Sequence, residues 1–271
     1  MKLEIEIIPE AVDSGKLVLL AEVADSGCSF LFYYEDYKTL VGLLYYRFEP
    51  GDRSDTIHKA FSEIIANELF SGSFKNVRIC YCYRKSVLIP EVIYTSENSE
   101  DFVELVHGDL NKGTLLIDKP EGHNVLNIFR VPLEVHALMS AKFSEALFVH
   151  QNTLLLKSLS VEKHKMTVIV YPDALVIALV KNGLVQIIQS FPYKTTDDAA
   201  YHLLNTCQLF EVQNIHLEMS GFIEKDFRLY REIRNYFVSV SFLQYKDEVT
   251  LAEGFKKFPA HYFSHLMSIP A

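Results

Sequence analysis

Residues 165–193 read KMTVIVYPDALVIALVKNGLVQIIQSFPY and contain three apolar runs separated by two short turns. Pro172-Asp173 separates the first run from the second, and Lys181-Asn182-Gly183 forms a hairpin-type turn before the third. Each run has the length of a strand and is rich in Val, Ile and Leu, which are common in strands. The stretch therefore predicts three consecutive antiparallel strands.

The residues after this stretch change to a helical period and then return to a strand. Residues 195–198 have the composition of a helix start. The apolar residues after them recur at three and four positions, as one face of a helix does: Ala200, Leu203, Leu204, Cys207 and Phe210. Residues 214–219, NIHLEM, again resemble a strand. The predicted order is strand, strand, strand, helix, strand.

The same order occurs earlier in the chain. Residues 16–48 contain three strand-like runs, with turns at Asp25-Ser26-Gly27 and Glu35-Asp36-Tyr37. Residues 57–69 then carry apolar side chains at helical spacing, and residues 76–83, NVRICYCY, are rich in strand-forming types. A repeat of five elements in one order predicts two copies of one domain.

The region between the copies predicts further structure. Residues 114–118 and 125–131 resemble a hairpin, residues 132–143 a helix, and residues 145–150 a strand. We therefore divide the chain into a first lobe, 1–150, with an inserted hairpin region, and a second lobe, 151–271.

Composition limits the functional classes. The chain has 271 residues, of which 49% are apolar, and a formal net charge of −9. This charge argues against nucleic acid and anionic membrane surfaces as partners, because both attract basic proteins. No apolar run is long enough to span a membrane, so no membrane insertion is expected. Four scattered cysteines do not form a disulfide framework, which indicates a reducing cytoplasm.

The order of elements resembles the actin-like ATPase superfamily, in which each half has a ribonuclease-H-like core and ATP lies between the halves. The resemblance implies a mixed α/β, duplicated ribonuclease-H-like fold with two lobes around a cleft. The chain is also similar, over nearly its whole length, to a bacterial family with this fold, a domain of unknown function. The segments that carry this likeness are Asp25-Ser26-Gly27-Cys28-Ser29-Phe30 and Pro259-Ala260-His261-Tyr262-Phe263.

The superfamily's first phosphate loop joins the first two strands of the first half and reads Asp, any residue, Gly, any residue, Ser or Thr. The residues Asp25, Ser26, Gly27, Cys28 and Ser29 have this spacing. A tight glycine turn lets backbone N–H groups face phosphate, while the Asp acts through the magnesium shell. Asp-Ser-Gly is also an ordinary hairpin turn. The resemblance makes these five residues candidate nucleotide-binding residues.

The other two loops depart from the pattern. The turn that matches the second phosphate loop, residues 171–175, has no glycine, and Pro172 lacks the N–H donor that such a loop needs. The matching adenosine loop, residues 219–222, keeps one glycine, which makes Ser220 and Gly221 candidates, although a turn that opens the next helix explains them equally well. The water-activating position corresponds to residues 150–152.

The sequence therefore predicts a binding or scaffold module with degenerate nucleotide loops and a protein partner. We expect no catalytic residues, no metal and no cofactor, since Walker, dinucleotide-binding and nucleophile-elbow motifs are missing from the sequence. Two alternatives stay open. One is a working ATP-binding actin-like ATPase or kinase-like protein that uses ATP and magnesium, and the other is a small-molecule binder that uses the cleft.

Overall fold

A computed structural model of the protein describes residues 1–9, 14–36, 38–49, 54–108, 113–159, 164–223, 228–245 and 248–268. Contacts divide the chain into two compact units. The first comprises Met1–Leu154 with Glu248–Lys257, and the second comprises Leu155–Asp247 with Phe258–Ile269. The lobe boundary expected between residues 150 and 151 stays a prediction.

The main sheet of the first unit combines an antiparallel meander with parallel strands. Its strands within the described residues are β1 (Lys2–Ile7), β2 (Leu17–Val23), β3 (Gly27–Tyr34), β4 (Thr39–Arg47), β5 (Asn76–Tyr81), β9 (Leu147–His150) and β15 (Thr250–Leu251). The order is β1-β4-β3-β2-β5-β9, with β15 also beside β4. Strands β1 to β4 pair antiparallel, whereas β5 and β9 are parallel to β2. The predicted meander is confirmed.

Helices cover the sheet of the first unit because their apolar residues share one face. Helix α1 (Ser54–Ile65) presents Phe61 and Ile64, which are fully or almost fully buried. The predicted helix of residues 132–143 is confirmed as α3 (Leu133–Lys142), with Pro132 as its N-cap residue, and Met139 is buried in the same core. Burial of such side chains stabilises the fold by about 2 kcal/mol each.

A second, three-stranded sheet lies in the part of the first unit between β5 and α3. It has the order β6-β8-β7 and carries one helix. The predicted hairpin of residues 114–118 and 125–131 is confirmed as β7 and β8. The bounds are β6 (Ser86–Pro90), α2 (Ser99–His107), β7 (Thr114–Asp118) and β8 (Val125–Val131). After β9 the chain continues into helix α4 (Gln151–Ser158).

The second unit has a five-stranded sheet in the order β12-β11-β10-β13-β14. Its elements are β10 (His164–Val170), β11 (Ala174–Lys181), β12 (Leu184–Pro192), α5 (Thr196–Leu209), β13 (His216–Gly221), α6 (Arg228–Ile233) and β14 (Ser239–Phe242). Helix α5 begins with the capping box of Thr195 and Asp198. The sequence of residues 225–237 resembles a helix, whereas α6 extends only over Arg228–Ile233, and residues 224–227 lie outside the described residues. The mixed α/β fold class is confirmed.

The end of the second unit is less regular than the sequence suggests. The sequence of residues 258–271 suggests one short helix, whereas the described residues form two 3-10 turns, Ala260–Tyr262 and Ser264–Ser268. Pro259 precedes the first turn, and Phe263 separates it from the second. Among the described residues no helix is both long and apolar enough to cross a membrane.

Five strands of the first sheet, β4-β3-β2-β5-β9, have the same order as the five strands of the second, and hydrogen bonds at corresponding turns also match. In the first unit, Ala24 donates its N–H to the Gly27 carbonyl at 2.9 Å. In the second, Tyr171 donates to the Ala174 carbonyl at the same distance, 2.9 Å. Each turn thus closes in the same way, between the first and second strands of its meander.

Candidate functional site

The first candidate loop, Asp25 to Ser29, is a tight turn between β2 and β3. A Cβ atom at Gly27 would lie 2.3 Å from the carbonyl oxygen of Tyr46 on β4, so only glycine fits there. Cys28 and Ser29 already belong to β3 and are 2% and 4% exposed. Burial raises the pKa of the Cys28 thiol well above its usual value. Gly27 therefore has a packing reason that is independent of any phosphate.

The corresponding turn of the second unit, between β10 and β11, is held by local hydrogen bonds. The Tyr171 N–H is bonded to Ala174, and Pro172 has no N–H. Tyr193 donates its own N–H to the Asp173 carbonyl at 3.1 Å, and its hydroxyl donates to the Tyr171 carbonyl at 2.5 Å. These bonds hold the turn between two strands.

The third candidate loop follows β13. Gly221 has a φ of +88°, and a Cβ atom there would lie 2.2 Å from the Val170 carbonyl oxygen. The next two amides are used in the backbone, since Phe222 donates to Val170 at 2.8 Å and Ile223 donates to Gly221 at 2.9 Å. Glycine is thus required here by the approach of β10. The two groups of candidate residues belong to different units, and their joint contact with a nucleotide stays a prediction.

Residues 150–152, at the position that the resemblance assigns to water activation, are deeply buried. His150 donates from Nε2 to the Tyr83 carbonyl at 2.9 Å and accepts at Nδ1 from the Asn152 N–H at 3.0 Å. These two bonds suit the neutral ring. Burial lowers the pKa of His150 to about 4, although the bond to Tyr83 opposes the shift. His150 therefore stays uncharged at neutral pH.

A network of polar side chains surrounds His150 and fastens the start of α4 to the three-stranded sheet. Asp118 on β7 accepts from the His150 N–H and from the Thr153 hydroxyl, both at 2.7 Å. The Thr153 hydroxyl oxygen in turn accepts from the side-chain amide (Nδ2) of Asn127 on β8 at 3.0 Å. Burial raises the pKa of Asp118, and the bonds from Thr153 and His150 act against that rise. The arrangement is that of a buried structural network.

Sequence reasoning missed this network because its members are scattered. Asp118 and Thr153 are 35 positions apart. Ser86, whose hydroxyl donates to the side-chain Oδ1 of Asn127 at 2.6 Å, is farther still from α4 in the sequence. Each residue alone is an ordinary polar residue. Only the pairing of β7 and β8 and their approach to α4 brings them together.

A cavity of approximately 390 Å³ lies within the second unit, against the face of its sheet that α5 and α6 do not cover. Its floor is formed by side chains of β10 and β13, and its walls come from residues 155–159, 243–245 and 264–267. Ser220, one of the predicted site residues, lies on the floor and is 1% exposed. No group of three or more His, Cys, Asp or Glu within the described ranges could hold a metal ion.

The sheet order, with a meander followed by parallel strands in each unit, is that of an actin-like ATPase fold. A Bacteroides thetaiotaomicron VPI-5482 protein with an actin-like ATPase fold and unknown function is similar, with a TM-score of 0.71 and 20% identity. The match covers 86% of this chain and 94% of that one. A chain of the PilM–PilN type IV pilus biogenesis complex is similar with a TM-score of 0.63 and 11% identity, and the match covers 93% of this chain and 97% of that one.

The sequence identifies the family more narrowly than the fold does. Residues 10–240 match the family described as "Protein of unknown function (DUF3822)". The chain belongs to this family, since the match extends over most of its length. No curated protein matches the sequence of the chain.

Proposed function

We propose that this protein is a binding or scaffold module of actin-like fold that acts through a protein partner and has degenerate nucleotide loops. The observation that carries the proposal is the turn between β10 and β11. A phosphate loop needs several backbone N–H groups that converge on one anion. Here Pro172 offers none, and the N–H of Tyr171 is bonded within the turn.

The remaining glycines also have reasons that do not involve a ligand. Gly27 lies where β4 approaches closely, and Gly221 lies where β10 does. A glycine that packing alone requires is weak support for a phosphate or adenosine contact. This supports loss of the nucleotide role.

The environment of His150 supports the same proposal. A general base must reach the proton that it removes, directly or through one water. Both ring nitrogens of His150 are engaged with the backbone, and the side chain is 1% exposed. The neighbouring Gln151 and Asn152 are 4% and 3% exposed. A role in positioning α4 fits these contacts better than activation of water.

A protein partner is supported by the PilM–PilN complex, in which a chain of similar structure is part of a type IV pilus biogenesis assembly. The proposal includes a cytoplasmic location, consistent with four free cysteine thiols. It also includes origin of the two units by internal duplication, which the common strand order supports.

Titration calorimetry of the purified chain with ATP and magnesium tests the proposal. We expect no binding heat at millimolar nucleotide. Micromolar binding that Asp25→Ala and Ser29→Ala both weaken would favour the working ATP-binding protein instead. Asp36→Ala is the matched control, because Asp36 is an exposed turn carboxylate of the same sheet that pairs with Lys75 at 2.9 Å.

A further inference from the structure

The floor of the second-unit cavity is unusually polar for a covered sheet face. Alternation along β10 sends Met166 and Val168 into the core with α5 and α6, and sends Lys165 and Thr167 to the opposite face. In the parallel pairing of β10 with β13, Thr167 lies beside Glu218. The cavity floor therefore carries two hydroxyl residues, Thr167 and Ser220, and two opposite charges.

The Ser220 hydroxyl lacks a hydrogen-bond partner among the residues that the structure describes. Its side chain is 1% exposed and borders the cavity. Buried polar groups almost always have a partner, either protein, water or ligand. A molecule inside the cavity would supply the partner that the described chain does not.

The two charges lie side by side on the same floor. Lys165 Nζ is 3.2 Å from Glu218 Oε2, and the side chains are only 14% and 20% exposed. An ammonium has three donors and a carboxylate about four acceptor positions, so their mutual contact does not exhaust either group. Ion pairs that are largely removed from water favour additional hydrogen-bond partners. A ligand with both charges would complement this pair.

Part of the cavity wall is apolar. Leu155 and Leu159 come from α4 and the residue after it, Leu243 follows β14, and Met267 belongs to the last 3-10 turn. Thioether and branched aliphatic side chains adapt to apolar groups of varied shape. The wall also contains polar residues, among them Lys157, so the cavity combines a polar, charge-paired floor with a wall that is apolar in part.

We propose that this cavity binds a free α-amino acid with an apolar side chain. The ligand carboxylate meets Lys165 and accepts from the Ser220 hydroxyl, its ammonium meets Glu218, and its side chain contacts the apolar part of the wall formed by leucines and Met267. The volume of approximately 390 Å³ lies in the range of small-molecule pockets, about 300–1,000 Å³. This inference concerns one unit alone and does not rest on the proposed scaffold function.

Calorimetry of the full chain with L-leucine, L-methionine and L-phenylalanine tests the site. We expect saturable binding of at least one of them. Leucinamide lacks the carboxylate and N-acetyl-leucine lacks the ammonium, so each should bind about tenfold more weakly than leucine or worse. Absence of binding by all three amino acids at millimolar concentration would overturn the proposal, and so would equal affinity for leucine and both analogues.

Variants locate the site within the chain. Glu218→Gln should weaken binding about tenfold, and Ser220→Ala should weaken it severalfold. Glu232→Gln is the matched control, since Glu232 forms an exposed ion pair with Arg228 in the same unit. Wild-type affinity in both Glu218→Gln and Ser220→Ala would contradict the assignment. If Glu218→Gln proves unfolded by circular dichroism, Ser220→Ala and the ligand analogues decide.

Discussion

Strand β5 of the first unit and strand β13 of the second end at corresponding positions of their sheets, but one ends with a large residue and the other with glycine. Tyr81 ends β5 beside Val23, and Gly221 ends β13 beside Val170. In both units the next amide donates back to that valine at 2.8 Å. One position of a common design thus carries a large aromatic side chain in one unit and no side chain in the other.

Tyr81 fills the core of the first unit. Its ring is fully buried, stacks on Phe148 with centroids 5.8 Å apart, and places its hydroxyl 3.0 Å from His136 Nδ1. Burial raises the pKa of the phenol, so Tyr81 stays neutral. The strand end is here a packing element.

At Gly221 the backbone instead has a φ of +88°, and a Cβ atom there would lie 2.2 Å from the Val170 carbonyl oxygen. The two ends show that identical strand pairing does not fix the conformation of the chain beyond the strand. They also show that a glycine in a loop of interest has to be judged by the atoms that its missing Cβ would contact.

The largest expected loss of stability comes from removing the Tyr81 side chain at the end of β5. Tyr81→Ala should lower the free energy of unfolding by about 4 kcal/mol, because it leaves a cavity in a well-packed core. Tyr81→Phe keeps the ring and should cost only about 1 kcal/mol for the lost hydrogen bond. Urea unfolding measures both. Equal losses would mean that the hydroxyl, and not the ring, is the important group.

Adding a side chain at Gly221, at the end of β13, should cause the next largest loss of stability. Gly221→Ala should cost about 3 kcal/mol, since it combines a positive φ with a clash against backbone. Gly122→Ala is the control, because Gly122 has a φ of +77° and a Cβ atom there would meet nothing within 4 Å. This control should cost about 1 kcal/mol. The same urea experiment applies, and a loss at Gly221 no greater than at Gly122 would show that the backbone of β10 yields easily.

A smaller effect concerns the end of β9, which pairs with β5. The pKa of His150 is about 4 in the folded protein against an ordinary value of 6.5. As the pH decreases below 6.5, His150 is protonated in the unfolded chain but stays neutral in the folded one. Lowering the pH from 7 to 5 should therefore reduce the free energy of unfolding by about 2 kcal/mol. Unfolding of the wild type at pH 7 and pH 5 measures this loss.

His150→Asn should reduce that pH dependence, since it removes the titrating ring and keeps an acceptor for the Asn152 N–H. Asp118 contributes to the pH dependence of stability with the opposite sign. Because its pKa is raised in the folded protein, its protonation at lower pH removes a buried charge and stabilises the fold. It offsets part of the loss in both proteins, so the difference between them isolates His150. A pH dependence unchanged in the variant would assign the loss to other groups.

The sequence is sufficient for elements that have strong periodicity. Alternating and continuous apolar runs predict both meanders, and helical spacing places Phe61, Ile64 and Leu203 in their cores, where they are buried. The resemblance predicts the actin-like fold. Residues 86–90, SVLIP, are not predicted as strand β6, because so short a run ending in proline carries little signal.

The candidate sites can be predicted only in part. Local motifs indicate Gly27 and Gly221. They do not indicate the carbonyl oxygens that leave no room for a Cβ atom at these glycines, because those oxygens belong to β4 and β10. Ser220 is a candidate because of its neighbour in sequence, whereas its position on a cavity floor depends on residues 264–267 far along the chain. Such contacts between distant segments have no periodic signature.

Strand β15 has a consequence for the order in which the chain folds during synthesis. Thr250 and Ala252 donate to the carbonyls of Lys38 and Leu40, both at 2.9 Å, and Phe255 is buried beyond them. The ribosome therefore releases strands β10 to β14 of the second unit before it releases β15, which belongs to the sheet of the first. Until then part of the β4 edge stays unpaired, and unpaired edges invite association. A nascent chain stopped before residue 248 should expose that edge to chaperones, although its N-terminal half was made first.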